Sequence, residues 1–213
     1  METRVKPHLR GVLHQEAAWF SLGAGSVLVA MAHTLEAAVA AAIYSASLVA
    51  QFAVSSIYHR VQWTERMRAL LRRADHSAIF VLIAGTYTPI SLLGLAGDDG
   101  RRLLIIIWAG AAAGVALSLF WINAPKVLVA VLAVALGWTI VPYFDQARQL
   151  LGAGIWLVLA GGIAYTAGAI VYAARRPDPH PHVFGYHEVF HVLTIVGAFL
   201  HFAAILGIVR NAA

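Results

Sequence analysis

The sequence predicts an all-α polytopic membrane protein, a bundle of seven transmembrane helices whose N-terminus lies in the cytoplasm. Three observations support this prediction. Of the 213 residues, 61% are hydrophobic and 12% are charged, against about 25% charged in soluble domains, and the mean hydropathy is +0.76. Charged residues separate seven apolar runs. Lys and Arg are distributed unequally between alternate connections. Water is therefore not the main solvent of this chain.

Each of the seven runs has the length of a membrane span. The first lies between Glu16 and Glu36, and the last begins near His187. Each has about 18–26 residues, enough for a helix to cross about 30 Å of hydrocarbon. An isolated strand in lipid leaves backbone groups unpaired, so helices are predicted throughout. The predicted spans are 17–35, 37–58, 77–97, 103–125, 127–144, 149–174 and 187–209.

No domain boundary, long linker or internal repeat stands out between these runs, so residues 1–213 are predicted to form one seven-helix domain. No cleavage site follows the first run, which is therefore expected to be a span rather than a signal peptide. Glycines within the spans suit close helix packing. Pro89 and Pro142 are expected to kink the spans in which they lie.

The arginines and lysines predict the orientation, because they are enriched in cytoplasmic loops. One side of the alternation carries eleven of them and the other carries four. The richer side holds Arg4, Lys6, Arg10, Arg60, Arg66, Arg68, Arg72, Arg73, Lys126, Arg175 and Arg176, and the poorer side holds Arg101, Arg102, Arg148 and Arg210. We therefore expect a multi-pass protein of the cell (inner) membrane, with the C-terminus outside.

Composition also narrows the expected partners. The net charge of +5 is assigned to loops at the cytoplasmic face, so membrane lipid rather than nucleic acid is the expected partner. Cysteine is absent, which excludes disulfides, thiolate metal sites and a cysteine nucleophile. The oligomeric state is not determined by the sequence.

Three of the ten histidines occupy positions typical of metal ligands. His187 and His191, at the cytoplasmic start of the seventh span, are spaced i,i+4, which places them about 40° apart on one helix face. His59, at the cytoplasmic end of the second span, can supply a third nitrogen. Three imidazoles with an open fourth position are typical of Zn²⁺, although spacing alone does not distinguish zinc from another divalent metal.

Two further polar residues lie at the same predicted depth. Asp75 begins the third span, where it can hold a water on the metal or orient a ligand histidine. Ser55 lies one turn deeper than His59 on the same helix face. Ionisable groups within spans usually face the bundle interior. The topology therefore predicts that Asp75, Ser55 and the three histidines converge from spans 2, 3 and 7.

The remaining histidines are given other roles. His76 is expected to point away from the site, because neighbouring helical residues diverge by about 100°. His201 lies too far along the seventh span to share the ion and is predicted to be a hydrogen-bonded core residue. Loop or interface positions are expected for His8, His14, His33, His180 and His182.

A competing interpretation comes from the same residues. His187-Glu188-Val-Phe-His191 matches H-E-x-x-H, the zinc metalloprotease signature in which Glu is the general base. An intramembrane protease would need a third ligand, and the Asp-Gly pair at Asp99 is predicted to lie on the opposite side of the membrane. The alternative role for Glu188 is an interfacial carboxylate favoured by the helix dipole.

The motifs resemble the hemolysin III family, which is related to the progestin and adiponectin receptors and more remotely to alkaline ceramidases. The resemblance rests on Ser55-Ser-Ile-Tyr-His59, on Asp75 and on Phe184-Gly-Tyr-His187-Glu-Val-Phe-His191. It extends from Arg10-Gly-Val-Leu-His14 to Leu200-His201-Phe202. The receptors have Gln where this chain has Glu188, which argues against an obligatory glutamate base.

The resemblance implies zinc on His59, His187 and His191, with Asp75 holding the zinc-bound water and Ser55 beside it. The chain departs from the family in its first span. Many members have an acidic residue followed by Asn and Thr-His there, whereas this chain has Glu16-Ala-Ala-Trp-Phe-Ser-Leu-Gly.

Three functions fit these features. A zinc-dependent hydrolase would use Asp75 as base and Ser55 to hold water or substrate, and the resemblance suggests a lipid-like amide such as a ceramide as substrate. A non-enzymatic membrane sensor or regulator would use zinc to hold spans 2, 3 and 7 together. A cytolysin or channel would follow the family name, although no polar stripe along a span predicts a pore.

Overall fold

The computed structural model describes residues 6–95, 97–121 and 123–212. Regular structure in these residues is helical, apart from one β-bridge between His180 and Phe184. A 3-10 turn, Val141–Tyr143, joins the fifth helix to the sixth. The helices are α1 (Val12–Ala30), α2 (Leu35–Arg60), α3 (Glu65–Gly94), α4 (Asp98–Phe120), α5 (Lys126–Gly137), α6 (Phe144–Leu151), α7 (Gly154–Ala174) and α8 (Tyr186–Asn211). Arg4, which contributes to the predicted orientation, lies outside the described residues.

The predicted all-α, multi-pass fold is confirmed. The helices α2, α3, α4, α7 and α8 and the segment Val127–Gln149 are each long and apolar enough to cross a membrane. The remaining long helix, α1, has 19 residues and packs along α2 and α8. Its first turns include the polar residues His14, Gln15 and Glu16, which lower the mean hydropathy of the helix.

The outer surface of the bundle is apolar, as expected of a surface that faces lipid acyl chains. Large hydrophobic side chains on every long helix point away from the core rather than into it. Among the most exposed are Trp19, Phe20, Val27, Leu35, Ile105, Phe120, Val127, Val131, Trp156, Ile163 and Ile170.

Several helices begin earlier than the apolar runs predict, and α1 and α3 are the two of these that bear on the predicted site. α1 begins at Val12, after Gly11 turns the chain with a φ of 80°. α3 begins at Glu65, where the Thr64 hydroxyl caps the helix by accepting a hydrogen bond from the Met67 amide at 3.4 Å. The first turns of α3 therefore carry arginines on a helix rather than on a loop.

The fifth span is not one continuous helix. α5 ends at Gly137, and Pro142 lies in the 3-10 turn that precedes α6. The Tyr87 hydroxyl donates to the Gly137 carbonyl at 2.7 Å and accepts from the Ile140 amide at 2.9 Å. A broken helix in a bilayer is tolerated when neighbouring groups satisfy its free backbone polar groups. Pro89, in contrast, lies inside α3 without ending it.

Helices α3 and α8 lie at the centre of the bundle. α3 contacts α2, α4, α5, α6 and α8, and α8 contacts α1, α2, α3, α6 and α7. α7 and α8 approach closely at Gly161 and Gly197, where an added Cβ would collide with the His201 ring and with Tyr165 at 2.7 Å, respectively. This close packing fixes α8, whose first two turns carry two of the predicted ligands.

Candidate metal centre

The three predicted ligands lie together. His59 is in the last turn of α2, and His187 and His191 are in the first two turns of α8. One ring nitrogen from each residue lies within 4.8 Å of the other two. The Nε2 atoms of His59 and His187 are 3.3 Å apart. We call these residues the histidine cluster, and by this geometry they can hold a metal ion.

The cluster's dimensions suit a tetrahedral ion of zinc size. Two nitrogens that each bind zinc at 2.0–2.1 Å in a tetrahedral arrangement are about 3.3 Å apart, which matches the distance between His59 and His187. His187 and His191 are buried, with 8% and 1% of their surface exposed. Each neutral imidazole carries one ring-nitrogen lone pair that can bind a metal, so a single divalent cation could be held by all three rings.

Asp75 and Ser55 lie beside the cluster. The Asp75 Oδ2 atom is 3.8 Å from the His59 Nε2 atom, and the Ser55 side chain hydrogen-bonds to the Asp75 carboxyl group. Both residues are buried. The structure therefore places a carboxylate, held by a hydroxyl from the neighbouring helix, at the edge of the three imidazoles.

Glu188 does not face the cluster. One carboxylate oxygen accepts a hydrogen bond from the Gly185 amide at 2.8 Å, and the other pairs with the Arg10 guanidinium. Its position in the first turn of α8 agrees with the helix-dipole interpretation, and its side chain is completely buried within the protein. The H-E-x-x-H protease interpretation thus loses its general base, since both oxygens are already engaged at the helix N-terminus.

His14 is the residue that the sequence interpretation missed. A loop or interface position was expected, but His14 is buried in α1 and its ring stacks on His191, with centroids 3.7 Å apart and planes 10° apart. Its Nε2 atom lies 3.1 Å from the Thr194 hydroxyl, which donates its own proton to the His191 carbonyl. The Thr194 oxygen must therefore accept from His14. Gly11 is the residue in the sequence that could have indicated this position, because a glycine there allows the helix to begin before the apolar run and so to include His14.

The other histidines largely occupy their expected places. His201 hydrogen-bonds to the Val158 carbonyl at 3.0 Å, as predicted for a core residue. His76 lies outside the cluster, as expected, and lines the cavity beside it. The expected positions between helices are confirmed for His8, His33, His180 and His182.

Two cavities that share wall residues lie beside the cluster. The inner chamber, of about 340 Å³, extends from the cluster to His201 between α2, α3, α5, α7 and α8. Most of its wall is apolar, including Leu82, Ile83, Val129, Ala133, Val134 and Phe190. The vestibule, of about 610 Å³, lies at the end of the bundle where the N-terminal segment meets the α2–α3 and α7–α8 connections. His59, Arg10, Tyr58, Arg68 and Tyr186 line both cavities.

The fold and this site define a multi-pass membrane protein with a buried cluster of histidines beside a carboxylate. The chain matches the family described as "Haemolysin-III related" over residues 2–202, and it belongs to that family.

Its relatives come from bacteria and from animals. Hemolysin-3 of Bacillus cereus is 32% identical over 177 residues, which are 81% of this chain and 76% of the relative. The Hemolysin-3 homolog of Bacillus subtilis is 32% identical over 165 residues, or 77% of this chain and 74% of the relative. Human monocyte to macrophage differentiation factor is 24% identical over 76% of this chain and 67% of the relative.

Proposed function

We propose that this protein is a zinc-dependent hydrolase of lipid amides that acts near the cytoplasmic face of the membrane. The observation that carries the proposal is the position of the Asp75 carboxylate, 3.8 Å from a histidine of the cluster and at one end of an apolar chamber. A structural zinc usually has four protein ligands. Three histidines leave one position open for chemistry.

Each residue has a distinct role in this proposal. His59, His187 and His191 would hold the zinc, which when bound lowers the pKa of a coordinated water to about 7 and polarises a carbonyl group. The Asp75 carboxylate accepts a proton from the attacking water and returns it to the leaving amine nitrogen. The Ser55 hydroxyl donates to Asp75, which fixes the carboxylate orientation and leaves its other lone pairs free to hold water.

The shape of the inner chamber favours a lipid-like substrate. Its apolar wall can accept an acyl chain, and transfer from the bilayer costs little because both surroundings are apolar. The amide bond would then lie at the cluster, with the polar part of the substrate toward the vestibule. We infer an amide because a carboxylate base beside a metal supplies the proton that an amine leaving group requires.

Metal content is the first test. Elemental analysis of the purified full-length protein is expected to give about one zinc per chain. The His59→Ala and His187→Ala variants should lose it, while His33→Ala, a change between helices and outside the cluster, should keep it. Equal metal content in all four proteins would overturn the proposed ligand set.

Turnover is the second test. Hydrolysis of a fluorescent ceramide and of an N-acylethanolamine is measured in lipid nanodiscs, with and without chelator. Asp75→Asn is expected to reduce the rate by about 10²–10⁴-fold, the usual contribution of a general base, without loss of zinc. Asp98→Asn, an exposed carboxylate at the start of α4, is the matched control. Turnover that survives both zinc removal and Asp75→Asn would refute the proposal.

A non-enzymatic role remains a second candidate, and one observation favours it. The cluster joins the end of α2 to the start of α8, so a bound ion would tie these helices together. In that case the chelator and His187→Ala would lower the thermal unfolding temperature while no lipid amide is hydrolysed. Dye release from liposomes separately tests the lytic activity that the name of the Bacillus relatives suggests.

A further inference from the structure

The vestibule is lined by positive charge that the proposed hydrolysis does not use. Lys6 and Arg10 come from the segment before α1, and Arg68 comes from the first turn of α3. Arg60, at the end of α2, lies close enough to interact electrostatically with Lys6. The cytoplasmic excess of arginines explains how many cations lie on this side, but it does not explain why cations from two segments line one cavity.

The carboxylates nearby offset only part of this charge. Glu188 is paired with Arg10. Asp178 also lines the vestibule, where it accepts a hydrogen bond from the Tyr186 amide at 2.8 Å, and it is outnumbered by Lys6, Arg10 and Arg68. Among the described residues, Lys6, Arg60 and Arg68 have no carboxylate partner within 4 Å. Instead, the Lys6 ammonium donates to the Arg60 carbonyl at 3.2 Å, which holds it at the cavity wall.

The three arginines lie close enough to Lys6 to affect its protonation. The pKa of Lys6 is lowered from its ordinary value, first by partial burial and then by the positive charges of Arg10, Arg68 and Arg60. Lys6 lies outside the membrane-spanning helices. Like charges held together in a concave site raise the local positive potential and attract an anion.

The vestibule lies next to the histidine cluster, where a head group could be held beside the reacting bond. It shares the cluster residue His59 with the inner chamber, and Arg10, Tyr58, Arg68 and Tyr186 line both cavities. An amphiphile could therefore place its chain in the chamber and its head group among the cations, with the intervening bond at the cluster. Arginine and lysine are the side chains that best bind phosphate and carboxylate groups.

We propose that the vestibule is a binding site for the oxyanion head group, phosphate or carboxylate, of a single-chain lipid. The claim that the substrate carries such a head group rests on the proposed hydrolase function. The claim that the vestibule binds such a head group does not, because binding requires neither zinc nor turnover.

The test compares three probes on the full-length protein in phosphatidylcholine nanodiscs. Dodecyl phosphate and dodecylphosphocholine have the same chain, and the second has its charge cancelled by choline. Inorganic phosphate has no chain. None contains an amide, so binding is separate from the proposed hydrolysis. Affinity is obtained from the ligand-dependent rise in unfolding temperature and from titration calorimetry at low and high salt.

Dodecyl phosphate is expected to bind at least about tenfold more tightly than dodecylphosphocholine at low salt, and less so at high salt. Lys6→Gln and Arg68→Gln should each weaken binding about three- to tenfold. Arg66→Gln, an exposed arginine on the same helix that does not line the vestibule, should leave it unchanged.

The remaining outcomes separate the possible sources of the anion. Inorganic phosphate that binds as tightly as dodecyl phosphate would support the oxyanion site but assign it to a free anion rather than a lipid. Equal affinity for the two dodecyl compounds, or no effect of the Lys6 and Arg68 changes beyond that of Arg66→Gln, would overturn the proposal. Binding without hydrolysis would leave this site standing while the proposed reaction fails.

Discussion

The pair formed by Arg10 and Glu188 is the interaction whose removal should be most damaging outside the histidine cluster. Glu188 has no exposed surface, and only 19% of the Arg10 side chain is exposed. The pair joins the segment before α1 to the first turn of α8. Arg10→Met keeps much of the aliphatic stem but removes the charge, leaving the Glu188 carboxylate with the Gly185 amide as its remaining described partner.

The magnitude follows from burial. Removing one partner of a buried ion pair costs about 3–5 kcal/mol, because an uncompensated charge is left in a low-dielectric place. In a chain of this size about 1 kcal/mol shifts the unfolding temperature by about 2–4 °C, so Arg10→Met should lower it by about 6–20 °C. Glu188→Gln should cost less, since a neutral amide oxygen can still accept from Gly185 and Arg10 can turn toward the vestibule.

The assay is thermal unfolding in detergent micelles, followed by tryptophan fluorescence, for the wild type, both single variants and the double variant. The double variant should be more stable than the sum of the two single effects predicts, by more than about 1 kcal/mol. Arg66→Met is the matched control, because this exposed arginine has no carboxylate partner in the described structure.

Two results would refute this reasoning. One is an Arg10→Met variant as stable as Arg66→Met, which would show that Glu188 does not depend on the guanidinium. The other is strict additivity in the double variant. A useful second readout is zinc content, because a loosened first turn of α8 displaces His187 and should weaken metal binding in Arg10→Met.

Three further changes test other parts of the structure. Tyr87→Phe removes the hydroxyl that satisfies the free carbonyl and amide where α5 ends, and should cost about 2–4 kcal/mol in thermal unfolding; an unchanged melting temperature would contradict this. Gly11→Ala should destabilise by about 1–2 kcal/mol and lower zinc content, because the backbone is left-handed and the new Cβ would lie 2.9 Å from the His59 Cβ, whereas Gly23→Ala meets nothing within 4 Å and should be neutral. Thr194→Val keeps the side-chain shape but removes the hydroxyl oxygen that accepts a hydrogen bond from the His14 ring, and should lower the free energy of unfolding by about 1–3 kcal/mol. An unchanged stability would show that the His14 ring nitrogen finds another partner.

Composition, run length and residue spacing were enough to predict the membrane environment, the helical class and the candidate ligands. Hydrophobic runs of span length are expected to form helices in a bilayer, because a helix satisfies its backbone polar groups internally. The i,i+4 spacing of His187 and His191 likewise fixes a shared helix face, since it is a local property of helix geometry. Topology and charge bias were then enough to predict that His59 and Asp75 approach the same end of the bundle.

Roles that depend on the direction of a side chain became evident only once the helices were packed together. Glu188 points to Arg10 rather than to the cluster, and His14 lies against His191 rather than in a loop. The break after α5 depends on Tyr87, a residue of another helix. The vestibule forms from three segments far apart in sequence. Each of these features depends on contacts between distant parts of the chain, and the helical periodicity of a single segment carries no information about such contacts.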